Sequence, residues 1–100
     1  MLTKTAIIKE IEENKKRIRD FGVKKLVLIG SYVDGTAKEN SDIDLLVEFE
    51  NGRGLFDDYV GLLHLLQDLF KRDVDIGEPD LIREELKRSI LGGKKIEAKI

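Results

Sequence analysis

Lys25–Phe49, KLVLIGSYVDGTAKENSDIDLLVEF, is the stretch from which the fold can be read. Leu26 to Ile29 form a short apolar run with a β-branched bias that stops at Gly30, the pattern of a buried strand feeding a tight turn. After Gly30-Ser31, Tyr32 to Gly35 read as a short helical turn, and a polar connection leads to a second strand that carries Asp42-Ile43-Asp44-Leu45-Leu46-Val47. Side chains alternate faces along a strand, so Asp42 and Asp44 share one face while Ile43, Leu45 and Val47 share the other, turned to a core. Carboxylates held that close repel unless a proton or a divalent cation lies between them. Oxygen ligands of this kind suit magnesium, which takes one or two carboxylates together with substrate phosphates.

Gly30-Ser31, ten residues, and then Asp42-Ile43-Asp44, each flanked by hydrophobic residues, resembles the signature of the polymerase-β-like nucleotidyltransferase superfamily. The small size resembles its minimal nucleotidyltransferase branch, and the resemblance covers nearly the whole chain. It implies a small mixed β-sheet with helices packed against it. It also implies that Gly30 and Ser31 hold the phosphates of ATP, where backbone amides of a turn favour anions. Asp42 and Asp44 are the implied magnesium ligands, for two ions. The superfamily's third carboxylate sits on a later strand between two hydrophobic residues. Asp75, between Val74 and Ile76, matches it as metal ligand or general base, with Asp73 as the competing candidate. One departure stands out: members commonly carry a basic residue before the second glycine of the turn, where this chain has Asp34 before Gly35. Lys38 or Arg53 are the basic residues that offer compensation.

The branch is typically found beside a HEPN-domain ribonuclease toxin. This implies a Mg-dependent, cytoplasmic antitoxin that moves AMP from ATP onto a tyrosine of that toxin. Two alternatives stay open. One is a non-catalytic antitoxin that masks its partner, and the other a small-molecule, aminoglycoside-type nucleotidyltransferase that needs a second subunit to complete its pocket.

Composition sets the bounds around that reading. One hundred residues suit a single domain, residues 1–100, with a modest core. The chain is 41% hydrophobic and 38% charged, lacks cysteine and is sparing in Asn and Gln, a balance of the thermophilic, intracellular type. No cysteine means no disulfide frame, no thiol nucleophile and no zinc–cysteine site. A net charge of -2 argues against non-specific grip on nucleic acid, which needs a basic surface. Nowhere do apolar residues run long enough to span a bilayer, which places the chain in the cytoplasm.

In chain order, Ile7, Ile8, Ile11 and Ile18 recur at helical spacing and predict one amphipathic helix over Thr5–Arg19, ending near Phe21-Gly22. Its cluster Lys15, Lys16, Arg17 and Arg19 reads as a solvated face balanced by Glu10, Glu12 and Glu13, or as a partner- or RNA-binding patch. Glu50–Gly54 is a glycine-marked loop, and the residues from Leu55 to Phe70 predict a helix with more apolar surface than one stripe requires. Either the sheet and first helix cover it, or a partner does, a second copy included. His64 falls on its polar face and takes no catalytic role. Arg72–Ile76 predicts a third strand, Pro79-Asp80 to about Leu91 a last helix stopped by Gly92-Gly93, and the alternating tail Lys94–Ile100 a short edge strand.

Overall fold

The computed structural model describes residues 2–78 and 95–100. The predicted helix from Pro79-Asp80 to Leu91, with its Gly92-Gly93 stop, lies outside the described residues. The elements are α1 Lys4–Glu13, α2 Lys15–Arg19, β1 Val23–Ile29, α3 Ser31–Asp34, β2 Ile43–Phe49, α4 Phe56–Phe70, β3 Val74–Gly77 and β4 Ile96–Glu97. The strands form one mixed sheet in the order β3-β2-β1-β4. β1 runs antiparallel to both β2 and β4, whereas β2 and β3 run parallel.

Alternation along the strands sorts the residues as their order dictates. Leu26 and Leu28 of β1 and Ile43, Leu45 and Val47 of β2 join one buried cluster with Ile7, Ile11, Ile18, Leu62, Leu65, Leu66 and Phe70 from the helices. α1, α2 and α4 therefore cover one face of the sheet. Ten large side chains of this cluster are essentially inaccessible, each stabilising the fold by about 1.5–3 kcal/mol relative to exposure. The opposite face carries Asp44 and, on directly paired positions, Val27 and Leu46.

The single helix predicted over Thr5–Arg19 is two helices. Thr3 caps the first, its Oγ1 accepting from the Ala6 amide at 3.1 Å. Asn14 then breaks it: its Nδ2 donates to the Glu10 carbonyl at 2.9 Å, a local side-chain bond that competes with the helical ladder. The hydrophobic spacing survives the break because Ile18 still reaches the core. Lys15, Lys16, Arg17 and Arg19 stay exposed.

β1 starts three residues earlier than its apolar run suggests, at Val23, by way of a register shift between Val23 and Lys25. α4 buries Leu62, Leu65, Leu66 and Phe70 in the core and packs Tyr59, Leu63 and Leu69 against the cluster. Among the described residues, the exposed large apolar side chains lie at its entry, with Leu55 73% and Phe56 78% exposed. The tail supplies the edge strand its alternation predicts, with Ala98 buried. Among the described residues, no helix is long and apolar enough to cross a membrane.

Candidate active site

Three segments meet where β1 ends and β2 begins. The first is the turn at Gly30, whose φ of 82° and ψ of -153° belong to a region open to glycine alone. Its carbonyl accepts from the amides of Val33 at 3.1 Å and Asp34 at 3.0 Å, which folds Ser31–Asp34 into α3. Gly35, at φ 82° and ψ 12°, closes that helix in the left-handed conformation. Glycine at position 30 has a second reason: a β-carbon there would overlap Asp44 Oδ2 and stand 3.2 Å from Asp44 Cβ and Cγ. The Asp44 carboxylate thus lies directly on the backbone of the turn.

The second segment is the start of β2 and the third is β3. Asp44 pairs with Ile29 on one side and with Asp75 on the other, so the parallel register sets Asp75 beside it. Asp42 precedes the strand by one residue, two before Asp44, and is exposed. Partial burial first, then the negative charges of Asp75 and Asp42, push the Asp44 carboxyl above its usual range. Of the two acids on the predicted third strand, Asp75 is the one in register with Asp44. Asp73 lies ahead of β3, exposed, and contributes its carbonyl to the Ile43 amide at 3.0 Å.

Among the described residues, no three carboxylate or imidazole groups converge into a complete cage for an ion. The arrangement instead fits magnesium's habit of binding one or two carboxylates and completing its shell with water and substrate phosphates. Asp44 is crowded by Asp75 and Asp42, and a cation there would relieve the repulsion.

The structure corrects one basic candidate. Arg53 lies past the far end of β2, where Nε and Nη2 donate to the two carboxylate oxygens of Asp58, both at 2.9 Å, and Nη2 also donates to the Asp20 carbonyl at 2.8 Å. It is removed from the Gly30 turn by the length of the strand and cannot offset Asp34. Lys38 remains exposed in the connection between α3 and β2. His64 is exposed on α4, as its place on the polar face predicts.

Two further residues at the site eluded sequence reasoning. Tyr32 is 5% exposed and joins the core, and its hydroxyl also donates to the Ser41 carbonyl at 3.3 Å. Arg72 Nη1 donates to that hydroxyl at 3.0 Å and to the Glu39 carbonyl. These partners lie 40 and 33 residues from Arg72 in the chain, and no local pattern announces them. Arg72 also borders a polar cleft of about 620 Å³ shared with Asn40, Ser41, Asp42, Gln67 and Lys71.

Known proteins resemble this chain. The protein adenylyltransferase MntA of Thermococcus cleftensis is 35% identical over 92 residues, spanning 91% of this chain and 92% of that protein. A solved structure described as a minimal nucleotidyltransferase superposes with a TM-score of 0.69 at 29% identity, covering 89% of this chain and 93% of the other. A chain from a toxin–antitoxin crystal structure with AMP-PNP has the same fold, at a TM-score of 0.70 and 23% identity over 92% of this chain and 72% of that one. The family model described as the nucleotidyltransferase domain matches residues 6–97, and the chain belongs to that family.

Proposed function

We propose that this protein is a protein adenylyltransferase that moves AMP from ATP onto a tyrosine hydroxyl of a HEPN-type ribonuclease toxin and so acts as its antitoxin. The observation that carries the reading is the parallel register that sets Asp75 beside Asp44, with Asp42 two residues ahead and the Gly30 turn against them. The likeness to a protein adenylyltransferase along nearly the whole of both chains supports AMP as the group moved and a protein as its acceptor.

In this reading the Gly30-Ser31 turn holds the triphosphate, its backbone amides and the Ser31 hydroxyl directed at phosphate oxygens. Asp75 takes the proton of the acceptor hydroxyl. The freed oxygen attacks the α-phosphorus, the bond from that phosphorus to the bridging oxygen breaks, and pyrophosphate leaves with the electron pair. The product is a phosphodiester between AMP and the acceptor. Asp42 and Asp44, with Asp75 beside them, would hold magnesium, which when bound neutralises charge on the triphosphate and the departing pyrophosphate.

The test is transfer of label from α-phosphate-labelled ATP, with magnesium, to a co-expressed toxin partner. Wild type is compared with Asp42→Asn plus Asp44→Asn. Label on the partner that disappears in the double variant is the expected outcome. A second reading, a non-catalytic antitoxin that works by masking, draws on Asp34, an exposed carboxylate at the last position of α3 that adds negative charge where a triphosphate would lie. Absence of label with any nucleotide, while the double variant still binds and silences the toxin, would establish that alternative.

A further inference from the structure

The position of Asp42 is not fixed by the sheet. It stands ahead of β2, and the first strand bond on that side is made by its neighbour, the Ile43 amide to the Asp73 carbonyl at 3.0 Å. What precedes it is a turn closed on itself: the Lys38 amide donates to Ser41 Oγ at 2.7 Å, and the Ser41 amide returns to the Lys38 carbonyl at 3.0 Å. That turn is fastened to the rest of the molecule at two carbonyls. Ser41 O accepts from the Tyr32 hydroxyl, and Glu39 O accepts from Arg72 Nη1, which also donates to the Tyr32 hydroxyl.

We propose that Arg72 is a positioning residue, which holds Asp42 at the active site through Tyr32 and the 38–41 turn. One guanidinium nitrogen ties together the three segments on which the proposed chemistry rests. It reaches α3 and the Gly30 turn through Tyr32, and the approach to Asp42 through Glu39 and Ser41. Its own backbone leads into Asp73, Val74 and Asp75. A planar, permanently charged donor suits such a junction, since it cannot lose its proton and leave the carbonyls unsatisfied. Tyr32 serves as a rigid relay because its ring is clamped in the core. The significance for metal binding rests on the adenylyltransferase reading, whereas the ordering of the turn does not.

The test compares wild type with Arg72→Met, Tyr32→Phe, the two combined, and Arg72→Lys, in three measurements on the whole chain. Amide hydrogen exchange follows Lys38, Ser41 and Ile43. Titration with Mn²⁺ as a probe measures cation binding, and labelled-ATP transfer measures activity. Arg72→Met is expected to speed exchange at Lys38 and Ser41 while core amides such as those of Leu45 and Val47 keep their protection. It is also expected to weaken Mn²⁺ binding and kcat/KM by about 10–100-fold, the range seen when a group that orients a metal ligand is lost. Arg72→Lys, which keeps a charged donor, should recover part of each loss, and the combined variant should cost less than the sum of its two members. Unchanged exchange of the 38–41 turn in Arg72→Met would overturn the proposal, as would loss of protection spread evenly over the chain. If wild type transfers no label, the functional reading falls, and the exchange measurement still decides the role of Arg72.

Discussion

Where β2 begins, Asp44 is wedged between Asp42 and Asp75 against a glycine turn. Just past its other end, Asp58 is gripped by both arms of Arg53 and by the Gly54 amide at 3.0 Å. Both places rely on a glycine in the left-handed region with a side chain seated on its backbone, Asp44 on Gly30 and Arg53 on Gly22. They differ in the sign of what is brought together. At the far end opposite charges meet and tie the Glu50–Gly54 loop to the turn after α2, and the clamp needs nothing from outside. At the near end like charges meet, and their repulsion persists until a cation or proton arrives. The same backbone device serves stability in one place and, in the proposed function, binding in the other. On that reading, the electrostatic cost of crowding the carboxylates is what would draw a cation in.

The contrast can be broken at its centre by removing Asp75. Asp75→Asn should lower the turnover of labelled-ATP transfer by about 10²–10⁴-fold, the usual contribution of a general base, with little change in melting temperature. Asp73→Asn should cost far less, and the reverse ranking would reassign the third carboxylate. Next in size is the backbone beneath Asp44. Gly30→Ala places a β-carbon both in a glycine-only conformation and in the space of the Asp44 carboxylate, and should cost about 1–3 kcal/mol in urea unfolding as well as most of the transfer activity.

Two smaller effects differ in how they depend on pH, which sharpens the comparison. The raised Asp44 carboxyl binds its proton more tightly folded than unfolded. Its ionisation therefore costs stability progressively as pH climbs from the ordinary carboxylate value through the folded one. Asp44→Asn should accordingly melt above wild type at pH 7 without divalent cation, and the gap should close in acid or when Mg²⁺ is added to wild type. Asp58 is the opposite case. The hydrogen bonds from Arg53, then that from the Gly54 amide, hold its carboxyl below the usual range. Its contribution is present above about pH 4, the unfolded value, and is lost as pH falls through the folded one. Asp58→Asn should therefore flatten the acid limb of the stability curve while leaving labelled transfer unaltered.

The near end of β2 was legible in the sequence because its determinants are local. An apolar run stopped by Gly30, and acids spaced two apart among Ile43, Leu45 and Val47, fix strand, turn and face through the period-two alternation alone. The tail strand was readable for the same reason. The break at Asn14 was not, since apolar spacing reports which face is buried and says nothing of a side chain that captures the Glu10 carbonyl. Neither were the Arg53 clamp and the Arg72 junction. Arginine in a loop or at a strand edge has the same local appearance whether it meets solvent, a phosphate or a carbonyl 33 residues away. Arg53 was a candidate for phosphate only because its charge was visible and its partners Asp58 and Asp20 were not.

Parallel pairing carries a consequence for how the spacing of the proposed catalytic carboxylates is measured out. Since β2 and β3 point the same way, the chain leaving Phe49 must travel back along the sheet before β3 can start, and α4 makes that return. The helix acts as a ruler. Its length, the seat of Phe21 in the space left by Gly61, and the bond from the Tyr59 hydroxyl to the Ile76 carbonyl at 3.0 Å gauge where along β2 the next strand is laid down. A slip of one residue would bring Val74 or Ile76 opposite Asp44 and turn Asp75 to the other face. The tolerance of the chemistry is thus set by an element that supplies no reacting group.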